Sequence, residues 1–161
     1  MKKSLYLILV LALFAGMLAA CGQKTGDALL TVKGSIGKTN SGSNYVLDQA
    51  AFDEKSVELT YNDPWMGDGL KYKGILLKDL IAMVEPASDA TTISLVATDG
   101  KAFDIAISDA EMYDIMLPRW VDGALLTEEN GGPVKVAYPD DAKAIYPDEQ
   151  WAWWIVSIDI K

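Results

Sequence analysis

Hydrophobic and polar residues alternate with a spacing of two along much of this 161-residue chain. That spacing is typical of β-strands, in which successive side chains point to opposite faces of a sheet. Clusters of Gly, Asn, Asp and Ser separate the alternating runs and favour turns. The pattern predicts strands over 29–36, 45–47, 56–61, 91–97, 102–107, 117–121, 124–126, 134–138 and 151–161.

Three segments have a helical pattern instead. Residues 76–84 carry apolar side chains at a spacing of three to four, which places them on one face of a helix that Pro86 ends. Asp48 is expected to cap a brief helical turn that follows it. The sequence Ser-Asp-Ala-Glu opens a third short helix over 108–113, because it has the form of a capping box.

The order of these elements predicts the fold class. Strands greatly outnumber helices, and the short helices are scattered among them. We therefore expect an α+β domain, with a mixed or largely antiparallel sheet assembly and helices packed outside. Residues 28–161 are enough for a single domain with a sizeable core and too few for two ordinary domains.

The N-terminal residues resemble a bacterial export signal. Lys2 and Lys3 precede an apolar run over 5–18, and the run ends in Leu-Ala-Ala-Cys. This ending resembles the lipobox of bacterial lipoproteins, which implies removal of residues 1–20 and acylation of Cys21. Residues 21–27 then form a tether to the membrane. The alternatives are a secreted protein with a free thiol and a plain membrane anchor, for which the apolar run is short.

The composition excludes several kinds of active site. Cys21 is the only cysteine, and the chain has no histidine. If Cys21 carries lipid, the folded part has no thiolate nucleophile, no imidazole base, and no Cys or His ligand for zinc, haem or an iron–sulfur cluster. We therefore assign no catalytic residue and no metal site from the sequence.

The charge of the chain also restricts its partners. The formal net charge is −9, and removal of residues 1–20 leaves 12 basic and 23 acidic residues, a charge of −11. Nucleic-acid binding needs a basic surface, so this class of partner is excluded. An acidic surface also does not favour electrostatic attachment to an anionic bilayer. The lipid on Cys21 would therefore provide the membrane attachment.

Several stretches, in order, resemble the oxidoreductase molybdopterin-binding domain, the sulfite-oxidase fold. They are LTVKG (30–34), YKGILLKDL (72–80), ATDGK (97–101), GGPVKVAYP (131–139) and the end of the Trp-rich last strand (158–160). The resemblance covers nearly all of the chain after Cys21. The resemblance implies a mixed, barrel-like sheet assembly with short peripheral helices. The chain is similar to the small stand-alone form of the domain, which is found in exported bacterial proteins.

The chain departs from that family where the cofactor would bind. In catalytic members, a cysteine in the loop before the first of the longer motifs holds molybdenum, but residues 61–66 contain none. Those members also hold the pterin phosphate with His and Arg, whereas this chain has a single arginine, Arg119. The resemblance thus implies the fold. It implies molybdopterin only through the family, and from the residues themselves we predict no cofactor.

The loop over 62–69 occupies the place of the family's metal-binding loop and contains four candidate ligand-binding residues: Asn62, Asp63, Trp65 and Asp68. An aromatic ring beside carboxylates suits a cationic or polyhydroxy ligand. The alternative is an ordinary turn with a half-buried tryptophan. The spacing of the acids does not match an EF-hand calcium loop.

Arg119 and Trp151 complete the candidate ligand-binding residues. Arg119 is expected either to hold a ligand carboxylate or phosphate, or to pair with one of the acids. In a regular last strand, Trp154 shares the core face with Val156, Ile158 and Ile160. Trp151 and Trp153 then share the opposite face, where they line a cleft or cover a helix.

These observations give three hypotheses for function. The first is a lipid-anchored, extracytoplasmic and non-catalytic binding or accessory domain, with an unknown small ligand or envelope protein as its partner. The second is a divergent molybdopterin-dependent oxidoreductase with an oxygen-bound metal at Asp63. The third is a structural lipoprotein that docks a protein partner and binds no small ligand.

Overall fold

Two β-sheets and a few short helices build the part of the protein that the computed structural model describes, residues 26–161. The strands are β1 (Ala28–Gly34), β2 (Tyr45–Asp48), β3 (Val57–Asp63), β4 (Gly67–Leu76), β5 (Thr92–Ala97), β6 (Ala102–Ala106), β7 (Met116–Val121), β8 (Ala124–Leu125) and β9 (Ile155–Ile160). The α-helices are α1 (Gln49–Lys55), α2 (Leu77–Val84) and α3 (Ile107–Met112), and 3₁₀ turns lie at Glu128–Asn130 and Asp148–Gln150. The predicted signal (1–20), Cys21 and most of the tether (21–27) lie outside the described residues.

The first sheet has five strands in the order β2-β1-β9-β5-β6, and the second has four in the order β3-β4-β7-β8. β1 and β9 pair in parallel, whereas the other strand pairs are antiparallel. The α+β class and the mixed sheet are therefore confirmed. The barrel-like closure is not found, because neither sheet closes on itself within residues 26–161.

The inner faces of both sheets contribute to one hydrophobic core. Leu30, Leu95 and Ile158 come from the first sheet, and Ile75 and Leu117 come from the second; all five side chains are buried. The alternation of apolar and polar residues along these strands thus places one face of each sheet in the core.

The helices follow their sequence signals only in part. Asp48 caps α1 as predicted, because its Oδ1 accepts a hydrogen bond of 2.9 Å from the Ala51 amide. α2 buries its apolar face and ends at Glu85, just before Pro86. α3 begins earlier than the capping-box pattern predicts: the residue at its N-cap is Ala106, and no side chain caps it. The strand β6 runs directly into α3 and leaves Ser108 inside the helix.

The predicted loop over 62–69 is instead a hairpin connection. β3 continues through Asp63 and β4 begins at Gly67, so three residues connect them. The sequence pattern did not predict β4, whose pairing with both β3 and β7 makes it an inner strand of the second sheet. The strand begins with Gly67, Asp68 and Gly69, which are exposed and have the composition of a turn rather than of a strand.

The prediction of a strand over 134–138 is wrong, because this segment forms no continuous ladder of hydrogen bonds with another strand. Its residues are extended and buried, but they exchange hydrogen bonds with two different partners. Ala137 forms an isolated bridge with Met116 of β7, whereas the Val136 amide donates to the Ala152 carbonyl. The segment therefore connects the second sheet to the chain before β9 without joining either sheet.

The last strand is shorter than predicted, because it begins at Ile155 rather than at 151. Trp154 adopts a left-handed backbone conformation with φ of 57°, which interrupts the alternation of faces. Trp154 is consequently half-buried and lies outside the core, and Val156 is 36% exposed. The core face of this strand instead carries Ile158 and Ile160, as predicted.

Candidate functional site

The β3–β4 hairpin presents Trp65 at the surface. The Asp63 Oδ1 atom accepts hydrogen bonds from the backbone amides of Trp65 (2.8 Å) and Met66 (3.0 Å), which fixes the turn. Trp65 is 60% exposed, the value of a side chain that contributes little to the core. The turn therefore holds a large aromatic side chain in contact with solvent.

The other carboxylate oxygen of Asp63 lies in the interior. Asp63 Oδ2 accepts from Lys135 Nζ at 2.6 Å and from the Tyr72 hydroxyl at 2.7 Å. The side chains of Asp63 and Lys135 are both fully inaccessible to solvent. All four hydrogen bonds that Asp63 accepts come from groups of the protein itself, so its carboxylate is fully satisfied.

This environment changes the pKa of each member of the buried pair. Burial would raise the pKa of Asp63, but the hydrogen bonds from Lys135 and Tyr72 outweigh burial and hold the pKa below its usual value. Burial lowers the pKa of Lys135, and the Asp63 carboxylate opposes that change. Burial and the neighbouring Asp63 carboxylate raise the pKa of Tyr72, which keeps its hydroxyl protonated as a donor.

Aromatic rings surround the Lys135 ammonium. Its Nζ atom lies 5.0 Å from the ring centroid of Trp153, 5.5 Å from that of Trp151 and 5.7 Å from that of Tyr72. The Met66 Sδ atom lies 3.9 Å from the same nitrogen. These contacts fall within the range of cation–π attraction, so the ion pair and the tryptophans form one packed unit.

Hydrogen bonds and a close approach of the backbone fix Trp153 and Trp154. The Trp154 amide donates to the Gly131 carbonyl at 2.9 Å, and Trp154 Nε1 donates to the Glu128 carbonyl at 2.8 Å. Gly131 has φ of 87°, and a Cβ atom there would lie 2.8 Å from Cγ of Trp153. Only glycine allows this approach, because it lacks that atom and tolerates positive φ.

Above this unit lies an open cleft of about 300 Å³. We call it the tryptophan cleft. Aromatic side chains form most of its walls: Trp65, Phe103, Trp151, Trp153 and Trp154. The charged residues of its lining are Asp99, Lys101, Asp148 and Glu149.

Lys101 and Asp99 interact with each other at this rim, at 3.4 Å between Nζ and Oδ2. Among the described residues that line the cleft, three are acidic and one is basic. The charged rim therefore has an excess of negative charge.

The structure brings together only some of the predicted ligand-binding residues. Trp65 and Trp151 line the tryptophan cleft, and Asp63 lies in the ion pair beneath it. Asn62 supports the hairpin: its side chain donates to Asp140 Oδ2 at 2.7 Å and accepts from the Gly69 amide at 2.9 Å. Asp68 is exposed on β4 and does not line the cleft.

Arg119 lies on β7 and does not line the tryptophan cleft. Its Nη1 atom donates to Asp53 Oδ1 at 2.9 Å, and its guanidinium group lies 4.9 Å from the Trp120 ring centroid. The arginine is therefore engaged in an ion pair between α1 and the second sheet, the second of the two roles that the sequence left open for it.

Sequence reasoning missed the most deeply buried charge of the site. Lys135 lies in the apolar run Val134–Tyr138, where a single lysine is a signal for a buried acidic partner. Both Tyr72 and Lys135 lie in stretches that resemble the family, and Lys135 also lies in the predicted strand over 134–138. Phe103, Trp153 and Trp154 join the cleft because of the turn at Trp154, which no local pattern predicts.

Two further features concern residues 26–161. No group of three or more acidic, His or Cys side chains is placed there to hold a metal ion. No helix in the same part of the chain is long and apolar enough to cross a membrane.

Comparison with known proteins gives a family and a fold. Residues 44–160 match the model of the oxidoreductase molybdopterin-binding domain. The crystal structure of the sulfane dehydrogenase SoxCD from Paracoccus pantotrophus is similar, with a TM-score of 0.63 and 15% sequence identity over 83% of this chain. The match spans 38% of that longer chain, and at this identity it shows the fold alone. No curated protein matches the chain.

Proposed function

We propose, from the premise that this chain belongs to the oxidoreductase molybdopterin-binding domain family, that it is a non-catalytic binding domain held outside the cytoplasm by lipid on Cys21. The family membership supplies the fold and the expectation of a cofactor. Whether this chain keeps the cofactor depends on its own residues.

The residues at the site do not fit a molybdenum centre. The segment that would supply a metal ligand offers Asp63, and both oxygens of this carboxylate are already engaged by four donors of the protein. The Lys135 ammonium lies 2.6 Å from Oδ2, where it would repel a metal cation. Asp63 therefore has no free lone pair directed at a ligand.

The surface near this segment does not fit the pterin either. Molybdopterin carries a phosphate, which proteins bind with Arg, Lys or backbone amides. The tryptophan cleft is lined by Asp99, Asp148 and Glu149, and Lys101 already contacts Asp99. Arg119, on β7 and outside the cleft, is paired with Asp53 of α1. We therefore derive no reaction step through this cofactor.

The buried ion pair between Asp63 and Lys135 is the observation that carries the proposal. In the segment where the resemblance places the family's metal ligand, the pair forms a closed, self-satisfied contact, while the aromatic cleft above it stays open to solvent. A domain with these features retains a recognition surface and lacks groups for redox catalysis.

Metal and pterin analysis of the purified protein tests the non-catalytic assignment. The full chain is produced in a host that makes molybdopterin and is grown with molybdate, beside a molybdenum-dependent member of the same family as a positive control. We expect less than about a tenth of an equivalent of molybdenum and no pterin fluorescence after oxidation. Stoichiometric molybdenum that is lost in Asp63→Ala would overturn the proposal in favour of the divergent enzyme.

The lipid attachment rests on the sequence around Cys21, which precedes the described residues. Intact-mass analysis of protein extracted from membranes should show a chain that begins at Cys21 with added acyl mass. The Cys21→Ser variant should lose that mass and leave the membrane fraction. A chain that keeps an unmodified Cys21 thiol would refute this part of the proposal.

A further inference from the structure

The aromatic walls of the tryptophan cleft form a cage rather than a flat platform. The rings of Trp153 and Trp154 meet edge to face, with centroids 5.8 Å apart and an interplanar angle of 82°. Trp65 approaches from the hairpin on the opposite sheet and is 60% exposed. Rings at steep angles around a small volume can present their π-faces to one ligand from several directions.

The Trp154 ring and the backbone that carries Trp65 are fixed before any ligand binds. Trp154 is held by two hydrogen bonds, one to the Gly131 carbonyl and one to the Glu128 carbonyl. The Trp65 amide is held by Asp63, whose other oxygen is anchored by Lys135. A preformed site loses less conformational entropy on binding than one that must be ordered by the ligand.

The charges around the cage select a cation. Asp148 and Glu149 are exposed on the 3₁₀ turn beside Trp151, and neither forms an ion pair with another residue of the described chain. Lys101 is engaged with Asp99, and the Lys135 charge is balanced by Asp63. The uncompensated charges at the mouth are therefore negative.

We propose that the tryptophan cleft binds a small organic cation with a methylated ammonium group, a ligand class that refines the binding function proposed above. A quaternary ammonium has no hydrogen to donate, so it needs aromatic faces and nearby negative charge rather than hydrogen-bond acceptors at fixed positions. Trp65, Trp153 and Trp154 supply the faces, and Asp148 and Glu149 supply the charge. The cleft volume of about 300 Å³ suits a ligand of this size.

The lining disfavours the other classes of ligand. An anion would face three carboxylates against one lysine that is already paired. A sugar is uncharged, so it gains stacking and hydrogen bonds here but no attraction from the excess negative charge, whereas a cation is attracted by both the rings and the acids. A cation is the class that this combination of rings and acids favours.

Titration of the full-length protein with choline chloride tests the proposal, with tryptophan fluorescence and calorimetry as readouts. The matched ligand is 3,3-dimethyl-1-butanol, which has the shape of choline without its charge. We expect saturable binding of choline, at least tenfold weaker binding of the neutral alcohol, and weaker choline binding at higher salt. A second titration with phosphocholine distinguishes a free ammonium from a lipid headgroup: tighter binding than choline indicates the headgroup, and weaker binding indicates the free cation.

Paired variants assign the binding to the cleft. Trp65→Ala should weaken choline binding about tenfold, whereas Met112→Ala, at an apolar position on α3 that is 71% exposed, should leave it unchanged. The double variant Asp148→Asn with Glu149→Gln should weaken binding about threefold to tenfold and reduce its salt dependence, whereas Glu111→Gln should not.

The results separate this proposal from the function on which it rests. Absence of saturable choline and phosphocholine binding, equal affinity for the neutral alcohol, or unchanged binding in folded Trp65→Ala would each overturn the cation proposal. None of these results would be evidence that the protein binds molybdenum. Stoichiometric molybdenum in the purified protein would overturn the non-catalytic assignment, whether or not the protein binds choline.

Discussion

Two ion pairs join distant parts of the chain, and they differ in how much of each lies in solvent. In the Lys135–Asp63 pair both side chains are fully buried, whereas in the Arg119–Asp53 pair the arginine side chain is 10% exposed and the aspartate 41%. Asp63 also accepts hydrogen bonds from Tyr72 and from two backbone amides of the hairpin. Asp63 and Arg119 were both predicted to bind a ligand, but both are engaged within the protein. Because the two pairs differ in burial, loss of a partner should reduce stability much more at the Lys135–Asp63 pair.

The largest expected effect is that of Lys135→Ala. The substitution leaves the Asp63 carboxylate buried without its cation, which typically costs about 3–5 kcal/mol. Urea unfolding followed by circular dichroism measures the loss, and Arg119→Ala serves as the matched control at the pair whose aspartate is exposed. If Lys135→Ala is no more destabilising than Arg119→Ala, the distinction between the two pairs is wrong.

Acid should weaken the buried pair only below the ordinary pKa of an aspartate. The folded-state pKa of Asp63 lies below its ordinary value of 3.8, so its contribution to stability is complete above that value and is lost as the pH falls through the folded-state pKa. In that window the unfolded chain binds one more proton than the folded chain at this site, which gives a slope of up to about 1.4 kcal/mol per pH unit.

Unfolding free energies measured from pH 7 to pH 2 test this expectation. The double variant Asp63→Asn with Lys135→Met removes both charges of the pair, and we expect a shallower fall of stability below pH 4 than in the natural sequence. Equal slopes for the two proteins would show that Asp63 does not control the acid response.

Arg119→Ala should have a smaller effect, about 1 kcal/mol. Its partner Asp53 is well exposed to water, so the ion pair itself contributes little, and the remainder comes from the lost contact of the guanidinium with Trp120. Addition of salt to 1 M should reduce the difference between this variant and the natural sequence, whereas it should leave the Lys135→Ala difference almost unchanged. The opposite salt dependence would contradict the comparison.

Trp65→Ala should change stability least, by about 0.5 kcal/mol or less, because most of this ring already lies in water. Thermal unfolding measures this, and the same sample serves for the choline titration. A loss of several kcal/mol would mean that Trp65 packs as a structural residue, and the cleft would then lose its exposed wall.

The sequence pattern was a reliable guide at the β5–β6 hairpin, although it missed β4 of the β3–β4 hairpin. β5 and β6 were predicted nearly to their ends, because the Asp-Gly turn and the alternation on both sides are local signals. The segment 134–138 has the composition of a strand, yet its partners lie on two different segments. Local alternation cannot show whether an extended segment finds one partner or two.

The candidate site was predictable to a similar degree. Trp65 was identified as an aromatic ring beside the acids of the predicted loop, and Trp151 from the strand face that it would share with Trp153; both line the cleft. Asp63 and Arg119 were chosen for their charge, but their partners, Lys135 and Asp53, are 72 and 66 residues away along the chain. Tertiary packing decides which charged residues pair over such separations, and composition and spacing give no information about that packing.

The parallel pairing of β1 with β9 has a consequence for orientation. Both strands start at the same end of the five-stranded sheet, and Trp151–Trp154 lie just before β9 at that end. If Cys21 is acylated as proposed, the chain from Cys21 to Ala28 reaches at most about 25 Å. The mouth of the cage would then stay within a thin layer above the lipid headgroups, so the protein would encounter molecules concentrated near the bilayer and search for them in two dimensions rather than three.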